Sequence, residues 1–313
     1  MINGGNQTLF DRAIIESGTA GYTMSSVKEK KESFDETVRR IGCEGASDIV
    51  ACMEALPPTV LANNTITDLT EPFPIIDGVL ITEQPMESLK NGRVSKVPTI
   101  VGTCTHEGTF FVARRIKTEK DIRPALKFLL PFLTEKDFEQ IDATYPISDY
   151  VNDPFLEGSE IVGDRFFQCP SVDLAQTLAL SGVPVYKYRW NHSPELLKYI
   201  NFYGGRLGVF HFSEIAFIFS ARPLYASREE YRLSNTAIDA WVSFASTGIP
   251  KIYSQSPEEN ATWPVYKMDG PYNQQRQNLV FQTPVSTIFT ESDVHRDRVC
   301  QVWKEIESRR DNI

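Results

Sequence analysis

The chain has 313 residues, 41% of them hydrophobic, with a net charge of −9 and a pI near 5.1. That length and apolar content can fill a substantial core, as one large domain or two small ones. The acidity argues against nucleic acid or an anionic membrane as the main partner, and no apolar run reaches the roughly 20 residues that span a bilayer.

Taken in chain order, residues 12–17 form a short apolar run closed by Gly18 and predict a buried strand. The pattern over 33–41 predicts a helix that gives way to Gly42. A second strand is expected over 97–102, followed by a helix over 122–132 interrupted at Pro124 and Pro131. Residues 173–180 read as a helix stopped by Ser181-Gly182, and 183–190 as a third strand. The clearest helix covers 234–246, with Ile238, Trp241, Phe244 and Ala245 on one face. Ser234 or Asn235 is its expected cap, and Thr247-Gly248-Ile249-Pro250 its stop. Residues 253–260 and 269–278, rich in Ser, Pro, Asn and Gln, read as exposed loops. Strands alternating with helices predict an α/β architecture with a mostly parallel sheet. No repeat or linker is visible, so one domain over 1–313 is expected.

Two residues stand out chemically. Glu107 follows the second strand directly, at the sheet edge where ligands and catalytic groups collect in parallel α/β proteins. A carboxylate there can orient a histidine and stabilise its imidazolium. His106 beside it competes for a role, although adjacent residues of an extended loop point in opposite directions. His211 follows a glycine-rich stretch and is flanked by aromatics, as suits a loop delivering an imidazole for general-base work. His192 and His295 have polar neighbours and are expected at the surface. The chain has no Gly-x-Ser-x-Gly; Ser17 is the nearest imitation but lacks the paired glycines. Cys104 has nothing nearby to lower its thiol pKa. With no phosphate loop, dinucleotide fingerprint or metal-ligand spacing, neither cofactor nor metal is expected.

The five cysteines leave two alternatives open: two disulfides formed in an oxidising compartment, or five reduced and mostly buried thiols. Sequons at Asn6, Asn63 and Asn260 favour the first, while the one at Asn191 is disfavoured by Pro194. No signal peptide is visible at the start of the sequence, which suggests missing N-terminal sequence.

Several motifs in order resemble the type-B carboxylesterases, the α/β-hydrolase group that includes cholinesterases and fungal lipases. They are Leu9-Phe-Asp-Arg-Ala-Ile-Ile-Glu-Ser-Gly18, Pro74-Ile-Ile-Asp-Gly78, the run from Val97 to Phe111, Ile161 to Pro170, Gly208-Val-Phe-His-Phe-Ser-Glu-Ile215, Trp241 to Gly248, and Thr262-Trp-Pro-Val-Tyr266. The resemblance implies the C-terminal portion of an α/β-hydrolase fold acting on small-molecule esters. It implies Glu107 as triad acid, His211 as triad base, and Ser17 as a supporting neighbour of the pair. It also implies the pairings Cys43–Cys52 and Cys169–Cys300, a free Cys104, and a secreted lineage. His106 stands where many relatives have Asp. The oxyanion-hole glycines and the nucleophile elbow, which the family places upstream of Leu9, have no counterpart in this sequence. A chain inactive by itself is therefore expected, the alternative being a non-catalytic cholinesterase-like binding or adhesion protein or a pseudogene product. Phe110, Phe111, Phe210 and Phe212, flanking the pair, predict an apolar cleft.

Overall fold

The apolar runs that close at glycine or proline become neighbouring strands. In a computed structural model, residues 9–18, 24–65, 74–198, 205–252, 263–271 and 274–310 are described. The strands are β1 (Ala13–Glu16), β2 (Ser25–Ser26), β3 (Ile75–Ile76), β4 (Thr99–Cys104), β5 (Val185–Trp190), β6 (Gln277–Phe281) and β7 (Phe289–Ser292). The chain divides into two units, one from Met1–Gly4 and Tyr22–Val94, the other from Gly5–Gly21 and Ser95–Ile313.

The smaller unit pairs β2 with β3 in parallel and carries helices α1 (Val27–Arg40), α2 (Ile49–Glu54), α3 (Pro58–Thr65) and α4 (Pro85–Lys90). Helix α1 starts earlier than the sequence pattern suggested, because Ser26 and Glu29 form a reciprocal capping box. It ends before Gly42, which takes φ 76°. Cys43 and Cys52 are joined in a disulfide.

The larger unit is built on a five-stranded sheet in the order β1-β4-β5-β6-β7. All pairs are parallel except β6 with β7. Around it lie α5 (Thr109–Val112), α6 (Ile122–Leu129), α7 (Glu135–Thr144), α8 (Pro154–Gly163), α9 (Cys169–Leu180), α10 (Ile215–Ile218), α11 (Arg228–Thr247) and α12 (Asp297–Arg310). A mostly parallel sheet with flanking helices is the layering of an α/β hydrolase, as expected.

Strand β5 explains the two faces of this sheet. Side chains alternate across a strand. Tyr186, Tyr188 and Trp190 accordingly join the apolar cluster with Ala237, Ala240, Trp241 and Phe244 of α11. Lys187 and Arg189 pair instead with Asp293 and Glu291. Glycine is required at Gly102, which sits opposite Tyr188 in the β4–β5 register, because a Cβ there would lie 2.2 Å from the tyrosine ring.

Two sequence expectations need correction. Helix α11 begins at Arg228, capped by Ser227, whose hydroxyl accepts from the Glu230 N–H. Ser234 lies inside the helix, and its hydroxyl donates to the Phe217 carbonyl, so it caps nothing. Residues 269–278 are not wholly an exposed loop: β6 starts at Gln277, and Arg276 and Asn278 are buried. Ion pairs from Arg276 to Asp293 and Asp297 make that burial tolerable, and such long-range pairing has no local signal. The expected loop over 253–260 lies outside the described residues. Cys169 and Cys300 are bonded, and Cys104 is free and buried, as the family resemblance implied.

Candidate active site

Strand β4 is buried along its whole length and delivers Glu107 into the loop at its carboxyl end. The loop is held tight by Gly108, where an added Cβ would lie 1.9 Å from the Ser159 carbonyl oxygen of α8. His211 arrives from the other side, in the turn before α10. Its loop is docked on the β4 loop by two hydrogen bonds: His106 N–H donates to Val209 O at 2.9 Å, and Val209 N–H donates to the His106 ring Nδ1 at 3.0 Å. Thr109 Oγ1 adds a bond to Leu207 O at 2.8 Å. His106 therefore faces the docking seam while Glu107 faces the other way, as the loop argument required. Burial pushes the His106 pKa down, consistent with a neutral ring accepting through Nδ1.

Glu107 and His211 meet. Glu107 is 1% exposed, and its Oε2 lies 2.6 Å from His211 Nδ1. Its other oxygen, Oε1, accepts from Ser17 Oγ–H at 2.5 Å and from Cys104 N–H at 2.6 Å. Three hydrogen bonds thus surround a buried carboxylate, which is what burial of a charge demands. The carboxylate accepts a hydrogen bond from Nδ1–H and so leaves Nε2 as the basic nitrogen. Among the described residues, no hydrogen bond is formed to that Nε2. Ser17 touches Glu107, not the imidazole, and so stands behind the pair.

Aromatic rings shape the surroundings of the imidazole. Phe167, Phe111 and Phe212 lie 4.7, 5.5 and 4.0 Å from the His211 ring centroid. Phe167 comes from a π-helical stretch, Asp164–Gln168, that runs between α8 and α9. Such bulges frequently mark functional positions, but no sequence pattern announced this one. Phe110 contacts Phe212 edge-on.

Glu214 is a further member of the cluster that sequence reasoning passed over. It is 1% exposed, and its Oε2 accepts from the Cys104 thiol at 2.8 Å. Burial, with the nearby Glu107 and Glu16 charges, pushes Glu214 up to about 7. The Cys104 thiol is pushed well up by burial and by Glu214 and Glu107, so it is not a thiolate nucleophile. The position of Glu214, three residues after His211, was the available signal.

His295 is exposed, as expected, but His192 is not. Its Nε2 lies 2.9 Å from Glu230 Oε1, its Nδ1 lies 3.0 Å from Thr283 Oγ1, and its ring packs edge-on against Phe217. Local polarity misled because Glu230 and Thr283 are remote in sequence. Together with Glu195, His192 and Glu230 place three possible ligand atoms within 4.8 Å of one another.

A mostly parallel sheet with a carboxylate just past one strand end, hydrogen-bonded to an imidazole from a neighbouring loop, defines an α/β-hydrolase-type molecule. The model of the carboxylesterase family matches residues 1–295, and the chain belongs to that family. It is 25% identical to secreted lipase 4 of Gibberella zeae, over 96% of this chain and 55% of the lipase. It is 26% identical to carboxylesterase 5A of Canis lupus familiaris, over 84% of this chain and 48% of that protein. It is also 27% identical to the inactive carboxylesterase-like protein VdtD of Byssochlamys spectabilis, over 77% of this chain and 47% of that protein. The chain thus spans about half the length of these curated relatives.

Proposed function

We propose that residues 1–313 belong to one carboxylesterase domain that hydrolyses small-molecule carboxylic esters, with Glu107 as the acid and His211 as the base of a serine triad. The observation that carries this reading is the 2.6 Å contact between Glu107 Oε2 and His211 Nδ1. With Nδ1–H held by the carboxylate, Nε2 is the atom that takes a proton from an attacking hydroxyl and returns it to the leaving alcohol. Glu107 keeps the ring in the productive tautomer and stabilises the imidazolium. The aromatic rings around His211 favour esters with an apolar group.

The sequence holds no Gly-x-Ser-x-Gly elbow to bring a hydroxyl to Nε2, so this chain is expected to be inactive as it stands. A secreted setting fits the two disulfides. The second reading is a non-catalytic binding relative, and the likeness to an inactive carboxylesterase-like protein supports it.

The test is hydrolysis of p-nitrophenyl esters by this chain and by a version extended to the length of its relatives. Turnover is expected only in the extended form, where Glu107→Gln should lower kcat by about 10⁴-fold, as loss of a triad carboxylate does elsewhere. Turnover indifferent to Glu107→Gln would refute the triad assignment, and an inactive extended form would favour the binding reading.

A further inference from the structure

We propose that His192, Glu195 and Glu230 form a divalent-metal site, best suited to zinc, where the chain beyond the carboxyl end of β5 meets the first turn of α11. One imidazole nitrogen and two carboxylate oxygens lie within 4.8 Å of one another. Glu230 is fully buried, and its Oε1 lies 2.9 Å from His192 Nε2. The Glu195 carboxylate forms no hydrogen bond or ion pair among the described residues. Two carboxylates this close repel, and a dication removes that cost.

The geometry needs little adjustment. Zinc–ligand distances of about 2.0–2.2 Å set tetrahedral ligand atoms roughly 3.3 Å apart. His192 Nε2 and Glu230 Oε1, 2.9 Å apart, have to part by only a few tenths of an ångström, while the half-exposed Glu195 carboxylate swings inward. A carboxylate oxygen has room for a metal and an N–H donor together. Glu230 Oε1 keeps its bond from Glu195 N–H at 2.7 Å, while Oε2 keeps the one from Ala226 N–H at 2.6 Å.

The supporting contacts are also in place. When Nε2 ligates the ion, Nδ1 carries the proton and donates to Thr283 Oγ1, 3.0 Å away. A zinc with three protein ligands keeps one exchangeable position. A cavity of about 280 Å³, lined by His192, Ser193, Leu197, Gly208 and Phe210, borders the cluster and supplies the space for it. Phe210 directly precedes His211, so an ion here would brace the loop that carries the imidazole.

The experiment titrates the untagged full chain, stripped with a chelator, with Zn²⁺ against a chromophoric competitor. One ion per chain is expected. Because the Glu195 carboxylate holds no other group, Glu195→Gln should melt like the unmutated chain without metal, yet bind Zn²⁺ at least about 100-fold more weakly. His192→Ala should behave likewise towards the ion, and His295→Ala should bind as the unmutated chain does. Co²⁺ should give visible absorption bands that Glu195→Gln abolishes. No bound Zn²⁺, unchanged affinity in Glu195→Gln, or dependence on His295 instead would each overturn the site.

Discussion

Ser17 is buried at φ 56°, a backbone region that costs a non-glycine residue on the order of 1–3 kcal/mol. Its N–H bond to Gly102 O and its hydroxyl bond to Glu107 hold it there, so the strain serves to fix the carboxylate. Glu214 poses a different residue-scale problem. Burial holds it at about 7 against an ordinary value of 4.5. The folded state therefore binds this proton more tightly than the unfolded chain does. Its contribution to stability is complete below about pH 4.5 and is lost as pH rises through about 7. Glu214→Gln should flatten that slope and make the protein more stable than the parent above pH 7, by roughly 2–3 kcal/mol. Denaturant midpoints at pH 5 and pH 8 check this; a parallel pH dependence in parent and variant would refute it. The meeting of Glu107 and His211 could be anticipated because each lies in a compact motif, one at the end of β4 and one just before α10. Glu214 and Phe167 were not, since their contact with the pair depends on how separate loops fold over one another.

At the level of elements, the close approach of the β4 loop to α8 is the sharpest constraint. Gly108→Ala places a methyl 1.9 Å from a main-chain carbonyl, which cannot rotate away. A cost of about 1–3 kcal/mol or more is expected, seen as a fall in Tm of several degrees and a loosened Glu107 loop. An unchanged Tm would mean that the loop yields freely. Strands β4 and β5 were readable because buried parallel strands close at hard stops; β1 lies where the sequence placed it, but as an edge strand it is half-buried to exposed rather than buried. Strand β6 was hidden by Arg276, Gln277 and Asn278, polar residues whose burial depends on partners near position 293. The start of α11 was missed for a related reason. Its apolar face begins only after a charged first turn, Arg228-Glu229-Glu230, set by the Ser227 cap.

At the scale of the whole molecule, spacing left both the pairing of the cysteines and their oxidation open, and only the family likeness implied the pairs that form. The Cys169–Cys300 bond joins the start of α9 to α12 across a separation of 131 residues, a long loop to close. In the chain-entropy picture a closure of that span removes about 5 kcal/mol of freedom from the unfolded state. Trp303 Nε1–H donating to Tyr145 OH at 2.9 Å and the Arg165–Glu307 ion pair add non-covalent ties between α12 and the elements beside it. The covalent tie has a practical corollary for protease work. A cut after the exposed Lys251 falls inside the bridged span, so the two pieces stay linked. Such a nicked sample should run as one band on a non-reducing gel and separate into two only after dithiothreitol, whereas fragments that part without reductant would show the bridge unformed. Apparent resistance to trypsin judged without reductant would thus conceal a severed backbone.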